Sequence, residues 1–304
     1  MRAISAGIIC YARAPDGNVH LLLGRERDTP GWKQGSRRWS SFSGKIEPNE
    51  DVVEAAAREF LEETCAVVPL TRKGEELRAC SEAPVSIDEI VGELRGQENR
   101  RIERVISLPG ESFLHVSFVR EIEFLPFHQP FVRTRSLLLG LDTVIKAYCR
   151  AKKTLEHTPR MTLPGYCFST LVVATDFEID SARPLARVTV WDGTCARVIE
   201  LVVSEQAAVE MRPLQHQWQA VLAFMEKHPE VLSHPAVQLS CQGGMVVSAH
   251  VNKSYLEKSE MAWWSVQSLK QACRMPWSYS SMFRKHFYEF IGDIVTAIPS
   301  IEDA

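Results

Sequence analysis

No apolar stretch in these 304 residues approaches the ~20 that a membrane-spanning helix requires, so no such helix is expected. The opening MRAISAGIICYA has too short an apolar core for a signal peptide and reads as the start of a strand. Charge of either sign is not in excess. Lys and Arg total 35 against 38 Asp and Glu, a formal net charge of −3, which argues against a general nucleic-acid-coating protein while leaving room for one phosphorylated ligand. The eight cysteines (10, 65, 80, 149, 167, 195, 241 and 273) include no C-x2-C spacing, so reduced thiols are expected and not a disulfide framework or a zinc site. The nine histidines form no ligand-spaced set, and neither a Ser-His-Asp nor a Cys-His arrangement is supported. A P-loop, a G-x-G-x-x-G motif, internal repeats and low-complexity segments are also missing. These absences leave a soluble protein of the cytoplasm, with the nucleus as the alternative, and no membrane partner.

What is present is the run GKIEPNEDVVEAAAREFLEE at 44–63. As a helix, its C-terminal part sets Glu59, Glu62 and Glu63 at i, i+3 and i+4, on one side and a turn apart. Like charges that close repel, and a hard divalent cation relieves the repulsion because it binds carboxylate oxygens and keeps waters for substrate phosphates. Val53, Ala56, Ala57 and Phe60 form a separate stripe suited to packing on a sheet. Asp51 and Glu54 suit the positive end of the helix dipole, and Glu54 with Arg58 makes an i,i+4 pair.

The segment resembles the Nudix box, G-x5-E-x7-R-E-U-x-E-E-x-G-U, where U is a bulky aliphatic residue. Gly44, Glu50, Arg58, Glu59, Glu62 and Glu63 occupy the fixed polar positions, and Phe60 fills the first bulky slot. Cys65 stands where the family has glycine and Ala66 where it has a bulky aliphatic residue. That glycine ends the helix in a left-handed conformation, which costs a residue with a side chain ~1 kcal/mol or more, so the departure bears on the helix end and not on the carboxylates. The resemblance implies an α/β fold, a Nudix α/β/α sandwich with a mixed sheet. It implies Mg²⁺ or Mn²⁺ held by Glu59, Glu62 and Glu63, with the Gly44 carbonyl as a further ligand. Arg58 would orient Glu59 and its neighbours, and Glu50 would share that structural role. The general base comes from Glu63 in the box or from Glu257 on a later loop, with Glu260 as competitor. Glu257 reads equally well as a solvated loop carboxylate.

Elsewhere, 6–12 and 19–24 read as strands around the turn signal Pro15-Asp-Gly17-Asn, 66–70 as a strand after the box helix, 86–95 as a weak helix and 113–124 as an alternating strand. The loop 25–38 and its exit carry Arg25, Arg27, Lys33, Arg37 and Arg38 among Trp32 and Trp39, and Lys45 follows Gly44. Guanidinium groups bind phosphate and indoles stack on bases, so Arg25, Arg27, Arg38, Trp39 and Lys45 are candidate substrate-binding residues, against a solvated basic loop with Trp39 in the core. Beyond Pro126, helices over 134–155 and 205–227, the second kinked or split by Pro213, alternate with β-like stretches at 171–176, 186–203 and 236–251. Residues 255–265 resemble the Nudix passage from an acidic loop into a strand ending at tryptophan, with helices over 266–273 and 281–298 after it. The expected organisation is a first Nudix part at 1–130, a large α/β insertion at 131–250 and a closing part at 251–304. The alternative makes 131–250 a separate domain.

The resemblance implies a metal-dependent hydrolase that cleaves a diphosphate bond in a nucleoside diphosphate linked to another moiety. A narrower version is an mRNA-decapping enzyme releasing m7GDP from capped RNA, because 39–45 and 256–263 look similar to Nudix proteins of large DNA viruses. A third version, from another class, is a nucleotide-sensing Nudix-like module without hydrolysis. The expected partner is a nucleotide or nucleotide-capped substrate, RNA included.

Overall fold

The computed structural model describes residues 2–70, 84–96, 100–108, 111–156, 176–179, 184–191, 196–202, 205–242, 245–278 and 281–298. Chain order begins with β1 (Ala3–Arg13), β2 (Val19–Glu26), β3 (Trp39–Ser40), β4 (Phe42–Lys45), α1 (Val52–Glu63) and α2 (Ile87–Arg95). It continues with β5 (Arg100–Leu108), β6 (Glu111–Glu121), α3 (His128–Glu156), β7 (Asp176–Ile179), β8 (Pro184–Trp191), β9 (Ala196–Val202) and α4 (Glu205–Lys227). It closes with β10 (Val237–Gln242), β11 (Met245–Val251), β12 (Lys258–Ser265), α5 (Val266–Ala272) and α6 (Lys285–Ala297). Contacts divide the chain into two compact units, one of Met1–Ser136, His234–Ala236 and Lys253–Ala304, the other of Leu137–Ser233 and Val237–Asn252.

The first unit is built on a seven-stranded mixed sheet of order β12-β2-β1-β6-β5, with β3 paired to β2 and β4 to β1. Only the β1–β6 ladder is parallel; the others are antiparallel. Gly17, at φ 81°, closes the β1–β2 hairpin by donating its N–H to the Ala14 carbonyl at 2.9 Å. Beyond the hairpin end β1 exchanges β2 for β4 along Ser5–Ile8, and Gly7 permits it, since a Cβ there would stand 2.3 Å from that of Ser43. Helices cover both faces. α1 packs on β1 and β4, where Phe60 meets Phe42 edge-on with ring centres 5.4 Å apart. On the other side Ile9, Tyr11, Leu21 and Leu23 are buried with Leu269 of α5 and Phe287, Phe290, Ile291 and Ile294 of α6.

α1 starts with a capping box: the Asp51 carboxylate accepts from the Val53 and Glu54 N–H groups, and Glu54 accepts from that of Asp51 at 3.0 Å. Glu54 also pairs with Arg95 at 3.2 Å, so the expected Glu54–Arg58 pair does not form. The helix ends at Glu63, and Cys65 and Ala66 both take left-handed conformations, at φ 53° and 54°. Ala66 donates to the Leu61 carbonyl at 2.8 Å and Cys65 to that of Glu62 at 3.2 Å, the two bonds of a Schellman cap without its glycine. The strain is held by distant residues: the Cys65 thiol donates to the Tyr255 carbonyl at 3.0 Å, and His234 Nε2 donates to the Cys65 carbonyl at 3.1 Å. His234 Nδ1 meanwhile accepts from the Ala236 N–H at 3.1 Å, which fixes the tautomer. A left-handed pair cannot start a strand, so the strand expected at 66–70 is absent and those residues are a turn and coil.

In the second unit β7, β8 and β9 form an antiparallel sheet and β10 pairs with β11. α3 and α4 pack closely at Gly140, where a Cβ would come within 2.9 Å of the Phe224 ring, and Tyr148 meets Trp218 with ring centres 4.8 Å apart. α4 runs through Pro213 as one element, so the helix is not split there, and Leu222 on it is exposed. The expected turns at Asp192-Gly193 and Gly243-Gly244, and the β-like stretch before Asp176, lie outside the described residues.

His115 of β6 is half-buried between two hydroxyls, with Ser5 Oγ 2.8 Å from Nδ1 and Ser117 Oγ 2.9 Å from Nε2. Burial first, then the nearby Arg104 and His286, push its pKa down from 6.5 to about 4. Its folded-state pKa lies below the unfolded one, so only the unfolded chain takes the proton as pH falls from 6.5 towards about 4. Stability should therefore drop over that window by up to about 3 kcal/mol. Denaturant unfolding across pH 4–7 checks this: His115→Gln should flatten the acid limb, and an unchanged limb would refute the assignment.

Candidate active site

The residues between β4 and α1 are organised by Arg58. Its Nε and Nη2 donate to the two oxygens of Glu50 at 2.6 and 3.1 Å, a bidentate pair. Its Nη1 donates to Glu59 at 2.8 Å and Glu62 at 3.2 Å, and Nη2 also reaches the Lys45 carbonyl at 2.9 Å. Burial works against the guanidinium charge, but the bonds to Glu50 and the proximity of Glu59 outweigh it and raise the Arg58 pKa. The same bond from Arg58 holds Glu50 below the usual carboxylate range. Glu59 moves the other way: burial raises it, Arg58 offsets part of the rise, and the carboxylates of Glu257 and Glu50 add to it. Gly44 makes room for that carboxylate, since a Cβ on residue 44 would sit 2.1 Å from it.

Glu63 faces the interior. Its Oε2 accepts from the Ser43 N–H at 2.8 Å and its Oε1 lies 3.0 Å from Nζ of Lys258. Lys258 is fully buried, and its ammonium also donates to Glu26 at 2.6 Å and Ser40 Oγ at 2.9 Å. Arg284 completes the set on Glu26 at 2.9 Å. Burial raises the pKa of Glu63, opposed by Lys258, whereas for Glu26 the burial penalty is outweighed by Lys258 and Arg284, which lower it. Lys258, Glu26, Ser40 and Arg284 are absent from the expectations drawn from sequence. The charged run around Glu257 reads as a solvated loop, yet Lys258 begins β12, and the β12–β2 register slips between Lys258 and Glu260. That slip sends Lys258 inward and Glu260 outward to Arg25, at 3.2 Å.

These groups border a cleft of about 480 Å³. Of the residues singled out in the sequence, Gly44, Lys45, Glu59, Glu63, Arg27 and Glu257 line it. Arg27 and Glu257 are joined through the Arg27 N–H and the Glu257 carbonyl at 2.8 Å. Glu62 lies one step back on Arg58. Three others are not brought to the cleft. Arg25 is engaged with Glu260 and the Arg37 carbonyl, and Arg38 is buried with its guanidinium 5.0 Å from the Trp277 ring centre. Trp39 is a core residue, edge-on to Trp264 at 5.5 Å, because β3 must pair with β2 and shelter its indole under α6. Among the described residues no three acidic, imidazole or thiol side chains converge into a ready cage for an ion. The donors nevertheless suit a hard divalent cation. They are carboxylate oxygens, and burial raises the pKa of Glu59, with Glu257 and Glu50 adding to the rise, a cost to its charged form that a bound cation would offset.

Residues 1–103 match the family model described as NUDIX domain. No curated protein matches the chain. Similar solved structures include a C. elegans Ap4A hydrolase binary complex, at 17% identity over 40% of this chain and 66% of that one, TM-score 0.23. Another is the NUDIX domain of Shewanella oneidensis NrtR complexed with ADP ribose, at 12% identity over 41% and 63%, TM-score 0.25. A third is a Francisella tularensis bifunctional NMN adenylyltransferase/ADP ribose pyrophosphatase complexed with AMP and Mn ion, at 12% over 75% and 42%, TM-score 0.24. The chain thus spans less than two thirds of the length of each.

Removing Lys258 strands two buried carboxylates. Lys258→Met should lower stability by about 3–5 kcal/mol in urea unfolding, with part regained when Glu26→Gln is added. A loss below about 1 kcal/mol would place the group in contact with water instead.

Proposed function

We propose that this chain, whose residues 1–103 match the NUDIX domain model, is a divalent-metal-dependent hydrolase of a nucleoside diphosphate linked to another moiety, acting by attack of water on phosphorus. The observation that carries the reading is the junction of β4 and α1. There Gly44 admits the Glu59 carboxylate, and Arg58 holds Glu50, Glu59 and Glu62 as one set beside a cleft containing Lys45 and Arg27.

In this proposal Glu59 and Glu62 would hold Mg²⁺ or Mn²⁺, with the Gly44 carbonyl as an additional oxygen. The ion would neutralise charge on the phosphate and lower the pKa of a water. Lys45 and Arg27 bind and orient phosphate oxygens across the cleft. Both oxygens of Glu63 already have partners, Ser43 and Lys258, which suits a positioning role. Glu257 lines the same cleft and adds to the raised pKa of Glu59 through its own charge, so we assign it as the acceptor of the proton from the attacking water. Arg25, Arg38 and Trp39 are left out of the substrate-binding set. We further propose that 131–250 is an insertion between two parts of one Nudix domain, 1–130 and 251–304. In support, β12 lies against β2 in the main sheet.

The test is a substrate panel of ADP-ribose, diadenosine tetraphosphate, a dinucleotide cofactor and capped RNA, with Mg²⁺ and Mn²⁺ and products identified by mass spectrometry. At least one substrate should be cleaved at its diphosphate. Glu62→Gln and Glu257→Gln should each lower kcat by about a hundredfold or more with the thermal unfolding curve preserved. Release of m7GDP from capped RNA, but not from free cap dinucleotide, would narrow the activity to decapping. Nucleotide binding without any product would convert the reading to a sensing module.

A further inference from the structure

A smaller cavity of about 120 Å³, lined by Trp32, Gln34, Arg284, Lys285 and His286, stands next to the cleft. Trp32 and Arg284 line both spaces, and they stack on each other, the guanidinium 4.9 Å from the indole ring centre. The stack is tied into the fold on both sides. Arg284 is anchored by its salt bridge to buried Glu26 at 2.9 Å, and its N–H donates to the Trp39 carbonyl at 3.0 Å. The Trp32 ring lies directly over Gly35, where an added Cβ would come within 2.1 Å of it. Asp28 closes the loop that carries Trp32 by pairing with Arg37 and accepting from the Ser36 hydroxyl at 3.1 Å.

The outer cavity therefore presents two cations, an imidazole and a side-chain amide beside the fixed Trp32 indole. The carboxylate facing Lys285 and His286 is Glu289, at 3.8 and 4.0 Å, distances beyond hydrogen bonding in a solvent-exposed setting. Such pairs contribute little and do not compete with an arriving dianion. We propose that this cavity is a second phosphate subsite, which takes the phosphate following the scissile diphosphate. The proposal rests on the cleft being the hydrolytic site, and it assigns the enzyme to substrates with a phosphate beyond the cleaved pair. A polyphosphate chain and the first phosphodiester of a nucleic acid supply the same chemistry.

Binding separates this proposal from the activity. The full chain and its Lys285→Gln/His286→Gln variant are titrated calorimetrically in Mg²⁺. The ligands are uncleavable methylene-bridged analogues of pyrophosphate and tripolyphosphate and a 5′-phosphorylated trinucleotide. The wild type should bind one of the longer ligands more tightly than the pyrophosphate analogue, and the variant should lose about tenfold on that ligand with a clearly smaller loss on the short one. Whichever longer ligand responds names the source, polyphosphate or nucleic acid. Equal losses on short and long ligands, or no loss on any, overturn the subsite. No turnover is read, so an inactive protein that still shows the differential loss would refute the hydrolase reading and leave the subsite standing.

Discussion

A single ammonium group sets the terms for the first unit. Lys258 carries a full charge into a position with no side-chain exposure, where the cost of leaving water is several kcal/mol unless partners surround it. Those partners come from three elements: Glu26 at the end of β2, Ser40 in β3 and Glu63 at the end of α1. The helix with the acidic run is therefore positioned by a residue of the last strand, and β3 is drawn to the same point. With Arg284 on Glu26, charges alternate along a row from cleft wall to helix, and each carboxylate is flanked by at least one cation.

Arg58 plays the complementary part on the outer edge of α1. It collects Glu50, Glu59 and Glu62, while Lys258 takes Glu63, so these four carboxylates are shared between two cations of different character. The guanidinium has a fixed planar fork and serves three acceptors plus a carbonyl; the ammonium is a compact point charge suited to a dry pocket.

Patterns that depend on neighbours in sequence were legible. The hairpin at Pro15–Asn18, the amphipathic box helix and the alternation behind β6 all appear with shifted ends, because periodicity and turn chemistry act over a few residues. What was not legible depends on distant partners. Nothing local distinguishes Lys258, turned inward by a register slip, from Glu260, turned outward. Glu54 chooses Arg95 over Arg58 because α2 brings that guanidinium to the start of α1. Trp39 resembles a ligand-stacking residue in a basic loop until Trp264 and Phe283 are seen around it.

The left-handed Cys65–Ala66 pair has a bearing on how the molecule comes together. Glycine there would let the helix end close by itself, as soon as the segment was made. Here the closing bonds to the Cys65 carbonyl and thiol come from residues 169 and 190 positions further along the chain. Bringing such separated segments together carries a large loop-closure entropy before any contact repays it, which is the topology that slows folding. The left-handed turn after the box helix is thus a local structure whose strain is offset only once segments far apart in the chain have met.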